Sequence, residues 1–380
     1  MTTATRLTES SAPVQGLFVS FELSNRQWKL TCTTGLGAAR YRRTVTAWAF
    51  EAVLQAIAAA KRRFRLAEDA PVQSCYEAGR EGFALHRLLV ARGVTNHVID
   101  PASLRVDRRQ RRVKTDRVDG NGLVVALLHW LAGDAEALRV VRVPTRDAEA
   151  ARTIARELAA LRSECTRATN QMQSLLHAQG VQLALGRDFL TQLAGARDCT
   201  GEPIAAALQA RLERLWQRRA LVLKQVHDLE RTTQAAVQQD ALPGAAQLRQ
   251  LQALRGIALR GSLPLVHELF GWRDFRNRRE VGGYLGLGGT PFQSGDYAHE
   301  QGIGKNGNRH ARRVLIPLAW GWLRFQPTSA LTLWFEQRFA RGGPAQRRRG
   351  IVALARRLAI ALWRYVNDGT VPAGAVLKGV

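Results

Sequence analysis

The sequence predicts an α/β region with a mixed sheet at the N-terminus, followed by a helical region that fills the rest of the chain. Two observations support this prediction. Short stretches rich in β-forming residues alternate with helical periodicity from residue 16 to residue 131. Apolar residues spaced alternately three and four apart then run through residues 151–175 and 205–236, which is the pattern of a coiled-coil seam.

The N-terminal elements follow from local composition. We expect strands at 16–23, 27–33, 39–46, 72–76 and 95–99, and helices at 48–64, 82–91 and 116–131. Turn-like residues separate the first three strands, so these should form an antiparallel meander. The order βββαβαβα is that of ribonuclease H-like folds, and its two crossover helices require parallel strand pairs.

The two coiled-coil segments flank residues 180–202, which hold turn residues and should reverse the chain. The segments could pair with each other as a hairpin or with a second subunit, and spacing does not decide between these arrangements. The third region begins near residue 241. It should be mainly helical, with helices at 248–254, 263–270, 309–325 and 351–365. The Gly-rich stretch 282–308 excludes a continuous helix between the second and third of these.

We therefore divide the chain into a disordered N-terminus at 1–15, an α/β domain at 16–145, a coiled-coil region at 146–240 and a C-terminal domain at 241–372. No run of 18 apolar residues and no signal-peptide pattern occurs in the sequence, so we expect a cytoplasmic protein that makes no use of a membrane. The four cysteines form no CxxC pair, which argues against a zinc site.

The chain is strongly basic. Its 380 residues contain 56 Lys and Arg against 31 Asp and Glu, a formal net charge of +25. Such a surplus is usually kept because a polyanion neutralises it. The basic clusters do not lie on an amphipathic helix with an aromatic face, so nucleic acid is a better candidate than a membrane surface.

Four carboxylates point to metal chemistry. Asp116 and Asp119 lie one turn apart at the start of a predicted helix, a pattern that by itself is more often a helix cap. Glu22 and Glu77 end the first and fourth predicted strands, which are neighbours in a ribonuclease H-like sheet. Four such carboxylates repel one another unless cations neutralise them, and hard oxygen ligands select Mg²⁺ or Mn²⁺. Two such ions can support phosphodiester displacement.

Two basic clusters adjoin the candidate residues. A charge run is often only a solvated loop, but beside a candidate metal site it is better explained as a phosphate clamp. The first cluster precedes and overlaps the aspartates and consists of Arg105, Arg108, Arg109, Arg111, Arg112, Lys114 and Arg117. The second follows Ser294 of the Gly-rich stretch and consists of Lys305, Arg309, Arg312 and Arg313.

Ser294 and residues 254–269 are weaker signals. A serine in a Gly-rich loop is usually a turn residue, and spacing alone does not make Ser294 a nucleophile. Residues 254–269 suggest a helix, a Gly-Ile turn and a second helix, similar to the helix-hairpin-helix that grips a phosphate backbone. The motif is degenerate, because its second hairpin glycine is Ala258.

Taken in order, several motifs resemble one family. They are FVSFELS (18–24), CYEAGREGFALHRLL (75–89), VIDPASLRVDRRQRRVKTDRVDG (98–120), FRNRREVGGYLGL (275–287), PFQSGD (291–296) and QGIGKNGNRHAR (301–312). This set is similar to the DEDD transposases of the insertion-sequence one-ten family, which are related to the Piv DNA invertase. The resemblance runs from about residue 16 to 372.

The resemblance implies a RuvC-like N-terminal domain, a coiled coil for dimerisation and a C-terminal transposase domain. It also implies a site-specific recombinase that moves its own element between element ends and a target site, guided by a structured bridge RNA. The family's acidic tetrad corresponds to Glu22, Glu77, Asp116 and Asp119, and its catalytic serine to Ser294. Recombination in the family implies a covalent phosphoserine and a homodimer that assembles into a tetramer.

The sequence departs from the family at two positions. The first acid is usually Asp and is here Glu22, whose extra methylene moves the carboxylate outward. Gly120 stands where Ala is expected. Two other functions therefore stay open: a RuvC-type metal-dependent nuclease in which Ser294 is only a loop residue, and a nucleic-acid-binding protein whose acidic tetrad has decayed at Glu22.

Overall fold

A computed structural model describes residues 16–104, 116–271, 273–294, 297–304 and 307–379; for residues 102, 116–119 and 290–302 the description covers the backbone alone. The chain forms two compact units, Met1–Val143 and Pro144–Val380. The predicted disordered segment 1–15 and the basic residues from Arg105 to Lys114 lie outside the described residues, as does Lys305.

The first unit is built on a five-stranded mixed sheet. Its strands are β1 (Leu17–Leu23), β2 (Gln27–Thr33), β3 (Arg40–Thr46), β4 (Val72–Glu77) and β5 (Thr95–Ile99), in the spatial order β3-β2-β1-β4-β5. The meander pairs are antiparallel, whereas β4 is parallel to both β1 and β5. The predicted element order βββαβαβα, the antiparallel meander and the parallel strand pairs are confirmed.

Among the described residues of this unit, three α-helices accompany the sheet: α1 (Phe50–Arg63), α2 (Ala84–Ala91) and α3 (Asp116–Leu131). Successive side chains of a strand point to opposite faces, so β1 presents Val19 and Phe21 on one face and Ser20 and Glu22 on the other. Helix α3 packs across β1, β2 and β4, where Cys75 and Leu127 are fully buried in a common cluster.

The N-terminal end of α3 is tied to three strands. The buried Ser20 hydroxyl on β1 donates a hydrogen bond to the Gly120 carbonyl at 2.8 Å. Arg42 on β3 donates to the Asn121 side chain at 2.8 Å. The Cys75 thiol on β4 faces the Leu123 carbonyl at 3.8 Å. These contacts fix the helix start against the sheet.

The second unit begins with two long helices, α4 (Arg146–His177) and α6 (Ala206–Gln238), joined by a connection that contains the short α5 (Phe189–Ala194). The two long helices pack on each other within one chain. Arg162 pairs with Glu230, and Arg219 donates to Thr169 at 3.0 Å. Because the partner numbers fall as the α4 numbers rise, the helices run antiparallel, as a hairpin.

The hairpin has two separate apolar clusters. At its base, Ala155, Leu158, Val226 and Val237 join the large core of the unit. At its tip, a smaller cluster surrounds α5 and contains Met172, Leu176, Val181, Phe189, Leu193, Ile204 and Leu212. The tip therefore has a core of its own.

The part of this unit that the structure describes contains six further α-helices: α7 (Ala245–Ala253), α8 (Leu259–Leu265), α9 (Arg278–Leu285), α10 (Arg309–Phe325), α11 (Ala330–Phe339) and α12 (Pro344–Asp368). A π-helical segment, Val266–Phe270, continues α8. Helix α12 is central, since it packs against α7, α9, α10 and α11. Its apolar face is completely buried, with Leu354, Ala355, Leu358, Ala359 and Leu362 at 0% exposure.

A two-stranded antiparallel hairpin, β6 (Gly289–Ser294) and β7 (Tyr297–Ile303), lies between α9 and α10. The prediction of an open Gly-rich stretch missed these strands, and α9 extends into that stretch as far as Leu285. Helix α11 was not predicted, α8 starts four residues before its predicted start, and α12 is longer than predicted. A serine cap begins α11: the Ser329 hydroxyl accepts from the Thr332 amide.

None of the helices in the described part of the chain combines the length and apolar character that crossing a bilayer requires.

The packing of α3 gives a direct test. Leu127 is 0% exposed, whereas Leu131 on the same helix is 38% exposed. We expect Leu127→Ala to lower the free energy of unfolding by about 2–5 kcal/mol, through lost burial and the cavity left behind. Leu131→Ala should cost less than half as much. Denaturant unfolding followed by circular dichroism measures both; equal losses would contradict this placement of α3.

Candidate active site

The first group of candidate residues lies at one edge of the five-stranded sheet. Phe21 of β1 pairs with Tyr76 of β4 in parallel register. Glu22 and Glu77 are the next residues of these strands, so they lie side by side on neighbouring strands and on the same face. Adjacent strands are about 4.8 Å apart, close enough for two carboxylates to share a cation.

The start of α3 lies directly against Glu22. A Cβ built on Gly120 would be 2.6 Å from Oε1 of Glu22 and 2.8 Å from Oγ1 of Thr31, so the Glu22 carboxylate fills space that only a glycine leaves open. Asp119 is the residue before Gly120, and Asp116 begins the helix. The backbone thus brings the helix start that carries both aspartates to the strand end that carries Glu22.

The side chains of Asp116, Asp119 and Arg117 lie outside the described residues, so the four-carboxylate cluster stays a prediction. Among the side chains that the structure does describe, no three His, Cys, Asp or Glu residues come close enough to hold a metal ion. Lys29 of β2 pairs with Glu22 across the antiparallel ladder. This register places a positive charge beside the first acid.

The two buried thiols of the sheet, Cys32 on β2 and Cys75 on β4, are unreactive. Burial raises the pKa of the Cys32 thiol to about 12. Burial also raises the pKa of Cys75, and the negative charge of Glu77 raises it further. Both thiols are therefore protonated at neutral pH and are poor nucleophiles and poor metal ligands.

The second group of candidate residues lies around the β6–β7 hairpin. Ser294 is the last residue of β6 and pairs with Tyr297 of β7, so it sits at the hairpin tip. At the base of the hairpin, the Gly304 amide donates to the Gly288 carbonyl at 3.1 Å. The side chain of Ser294 lies outside the described residues, so its role as a nucleophile stays a prediction.

A buried ionic network lies where the chain returns from this hairpin to α10. The Glu268 side chain, in the π-helical segment, is 1% exposed. Arg156 donates to its two oxygens at 2.6 and 3.1 Å, and Arg152 donates to one of them at 3.3 Å. Asn308, the N-cap of α10, donates to Glu268 Oε2 at 3.0 Å, and the Tyr284 hydroxyl donates to the Glu268 carbonyl at 3.2 Å.

This network explains the ionisation of its members. Burial by itself raises the pKa of Glu268, but hydrogen bonds from Arg156 and Asn308 and the charges of Arg152 and Arg156 outweigh it, so the pKa lies below its ordinary value. The hydrogen bond to Glu268 raises the pKa of Arg156. Glu268 is therefore a carboxylate at neutral pH, held in a bidentate pair.

Residues at the start of α10 divide into structural and exposed ones. Burial lowers the pKa of His310, which is half-buried near Glu268 and Arg156, so the imidazole is neutral at pH 7. Arg312 donates to the Leu285 carbonyl at 3.0 Å and so caps the end of α9. Arg309 and Arg313 are exposed. Of the second basic cluster, these two are the described side chains open to a phosphate backbone.

The turn between α7 and α8 corresponds to the predicted helix-hairpin-helix. Its Arg255 amide donates to the Val376 carbonyl, and its Ile257 amide donates to the Leu254 carbonyl. A Cβ on Gly256 would lie 2.7 Å from the Cβ of Phe325. A phosphate contact at this turn would have to use groups other than those two amides.

Glu268 and the two arginines that bind it were not among the residues predicted from the sequence. One signal was present: His267 and Glu268 interrupt an apolar run, Leu265, Val266, Leu269 and Phe270, and all six residues are buried. A charged residue on the buried side of a helix requires partners. Arg152 and Arg156 lie one helical turn apart on α4, but nothing in their spacing identifies a carboxylate more than 110 residues away.

Comparisons with known proteins assign the class. Residues 248–333, from α7 to α11, match the family model described as "Transposase IS116/IS110/IS902 family". The matched segment contains Glu268, Asn308 and the β6–β7 hairpin. The protein is thus a transposase, an enzyme that transfers phosphoryl groups of DNA, and DNA is its substrate.

Two relatives extend the match. The chain is 40% identical over 381 residues to "Putative transposase y4rJ" of Sinorhizobium fredii, and the aligned region covers 95% of this chain and 94% of the relative. It is 25% identical over 240 residues to the transposase for insertion sequence element IS1328 of Yersinia enterocolitica, covering 62% of this chain and 68% of the relative. The chain belongs to the IS116/IS110/IS902 family of insertion-sequence transposases.

The Glu268 network yields a stability prediction. Glu268→Gln removes the negative charge that faces Arg152 and Arg156. We expect a loss of roughly 3 kcal/mol in the free energy of unfolding at pH 7, at the lower end for a broken buried ion pair, because Arg156 is 45% exposed and water screens its charge. The exposed Glu336→Gln, on α11, serves as a control that should change little.

The comparison of the wild type with Glu268→Gln also gives a pH prediction. The pKa of Glu268 is lower in the folded protein than its ordinary value of 4.5, so its contribution to stability is complete above that value and is lost as the pH falls through the folded value. The stability difference between wild type and Glu268→Gln should therefore be constant near neutral pH and shrink below about pH 4.5. A difference that stays unchanged on acidification would contradict the ion pair.

Proposed function

We propose that this transposase is a site-specific recombinase with a RuvC-like acidic site, a serine nucleophile and a bridge RNA that chooses the DNA sites. The observation that supports the acidic site most directly is the placement of Glu22 beside Glu77, with the start of α3 packed onto Glu22 through Gly120. The strand order β3-β2-β1-β4-β5 also agrees with a ribonuclease H-like fold.

The residues fit a divalent cation. Glu22 and Glu77 supply hard oxygen ligands from adjacent strands, and Asp116 and Asp119 would add theirs from the helix start. A buried Glu22 oxygen lies over Gly120, in a space that the missing Cβ leaves open. Bound Mg²⁺ or Mn²⁺ would supply charge neutralisation at the phosphate.

Ser294 would supply the nucleophile. In the proposed step its Oγ forms a bond to phosphorus, one phosphodiester P–O bond breaks, and the serine proton passes to a base while the leaving sugar oxygen gains a proton. The phosphoserine bond keeps the energy of the phosphodiester, so rejoining of the DNA strands needs no nucleoside triphosphate. The open end of the hairpin that carries Ser294 is closed by the Gly304–Gly288 hydrogen bond, and the chain that follows the hairpin is held at Asn308 by Glu268. Both contacts support a fixed position for the strands.

The remaining partners follow from the resemblance and from charge. The exposed Arg309 and Arg313 would contact phosphates near Ser294, together with Lys305. The cluster from Arg105 to Arg117 would do so near the acidic site. A net charge of +25 suits binding of RNA and DNA together. We propose that the protein works as a dimer that assembles into a tetramer, in the cytoplasm of a bacterium.

The test of the serine step is a pair of hydroxyl removals on one strand. With Mg²⁺, guide RNA and both DNA sites, Ser294→Ala should abolish the covalent protein–DNA adduct and lower strand exchange at least about a thousandfold. Thr290→Ala, on the same strand β6, should retain both. Denaturing gels that separate labelled DNA from its protein adduct provide the measurement.

Other outcomes of that assay decide between the alternatives. If Ser294→Ala still cleaves DNA with Mg²⁺, the protein is a RuvC-type nuclease. If the wild type is inactive with Mn²⁺ and Glu22→Asp restores exchange, the native chain is a decayed nucleic-acid-binding protein. Exchange that is unchanged when the guide RNA is omitted would remove the RNA-guided part of the proposal.

A further inference from the structure

Glu22 and Gly120 compete for one space. A Cβ on Gly120 would lie 2.6 Å from Oε1 and 3.3 Å from Cδ of Glu22. Distances below 3.0 Å do not occur at real Cβ atoms, so any side chain at position 120 would force a movement. The Oε1 atom is itself buried, which means that the carboxylate is packed against α3.

The movement would fall on the carboxylate, because the helix backbone is held in place. The Gly120 carbonyl accepts from the buried Ser20 hydroxyl at 2.8 Å, and the neighbouring Asn121 accepts from Arg42 at 2.8 Å. The Glu22 side chain ends in a flexible carboxylate that can change rotamer. A methyl group at position 120 would therefore displace the acid while the fold stays intact.

We propose that Gly120 is a positioning residue: the absence of its side chain sets where the Glu22 carboxylate lies in the acidic site, and the two residues act as a matched pair. The proposal rests on the proposed function for the role of that site. Aspartate at position 22 would be shorter by one C–C bond, about 1.5 Å, and would leave room for the methyl group of alanine.

The pairing bears on cation binding because cations require exact ligand geometry. Mg²⁺ demands a near-octahedral arrangement of oxygens. Residues that orient a ligand from behind change metal affinity roughly 10–100-fold when they are altered. Gly120 would act in this way on Glu22, since it lies behind the carboxylate and provides no ligand of its own.

Helix α3 offers a matched control. Gly122 lies two residues further along the same helix, and a Cβ built there meets nothing within 4 Å. Gly122→Ala and Gly120→Ala make the same chemical change and gain the same helix propensity. Only Gly120→Ala intrudes on Glu22.

The first measurement is Mn²⁺ affinity of the full chain, from the electron paramagnetic resonance signal of free Mn²⁺. Gly120→Ala should weaken binding at least about tenfold, and Gly122→Ala should leave it unchanged. In a Glu22→Asp background, Gly120→Ala should change the affinity less than about threefold, because the conflict is relieved; a double-mutant cycle isolates this coupling.

The second measurement needs no metal. In chelator, Gly120→Ala should give a lower melting temperature than Gly122→Ala when Glu22 is present, and the same melting temperature in the Glu22→Asp background. An equal deficit in both backgrounds would place the conflict at Thr31, whose Oγ1 is 2.8 Å from the added Cβ, and would overturn the proposal. No deficit in either background, together with no loss of Mn²⁺ affinity in Gly120→Ala relative to Gly122→Ala, would overturn it as well.

The two measurements separate the pairing from the proposed function. If the wild type binds no Mn²⁺ but the melting temperatures show the coupling, the metal site fails and the positioning of Glu22 by Gly120 stands. If Mn²⁺ binds and Gly120→Ala behaves as Gly122→Ala does in both measurements, the site stands and the pairing fails.

Discussion

The C-terminal unit depends on the neutralisation of one buried carboxylate. Glu268 is almost completely removed from water, and a charge in that position is tolerated only where opposite charges and hydrogen bonds replace the lost hydration. Arg152 and Arg156 come from α4, outside the segment that matches the family model, whereas Asn308 and Tyr284 come from inside it. The ion pairs thus join the helical hairpin to the matched segment, and the Asn308 contact fixes the start of α10.

The N-terminal unit positions its candidate acids by a different physical means. Strand register places Glu22 beside Glu77, and hydrogen bonds such as that from Ser20 to Gly120 hold α3 on the sheet. The position of the Glu22 carboxylate also depends on Gly120, because the missing side chain of this glycine leaves the volume that the carboxylate fills. In the proposed pairing, Glu22 and Gly120 act together, because the space left by one residue is filled by the other. In the C-terminal unit, charged side chains fix the position of Glu268. In the N-terminal unit, the missing side chain of Gly120 leaves the space that the Glu22 carboxylate occupies.

The sequence predicted the features that repeat at short range. Stretches rich in β-forming residues and the helical periodicity between them located all five strands of the sheet, and α3 was placed at its observed bounds. The β6–β7 hairpin was not predicted, because the glycines of the stretch 282–308 indicated irregular structure more strongly than its other residues indicated strands. The candidate site was predictable as far as Glu22 and Glu77 on adjacent strand ends. The Glu268 network and the Gly120 space were not, because both depend on which side chains meet across more than 95 residues of chain.

The separate core at the tip of the α4–α6 hairpin has an evolutionary consequence. Helices of 32 and 33 residues extend about 48 Å, so the tip cluster around Phe189 is remote from the base, which belongs to the main core. Mutations in the tip are therefore insulated from the folding of the base. The tip can diversify, acquire a new contact or lose an old one at little cost to the rest of the unit, and the hairpin gives selection a module that it can alter independently.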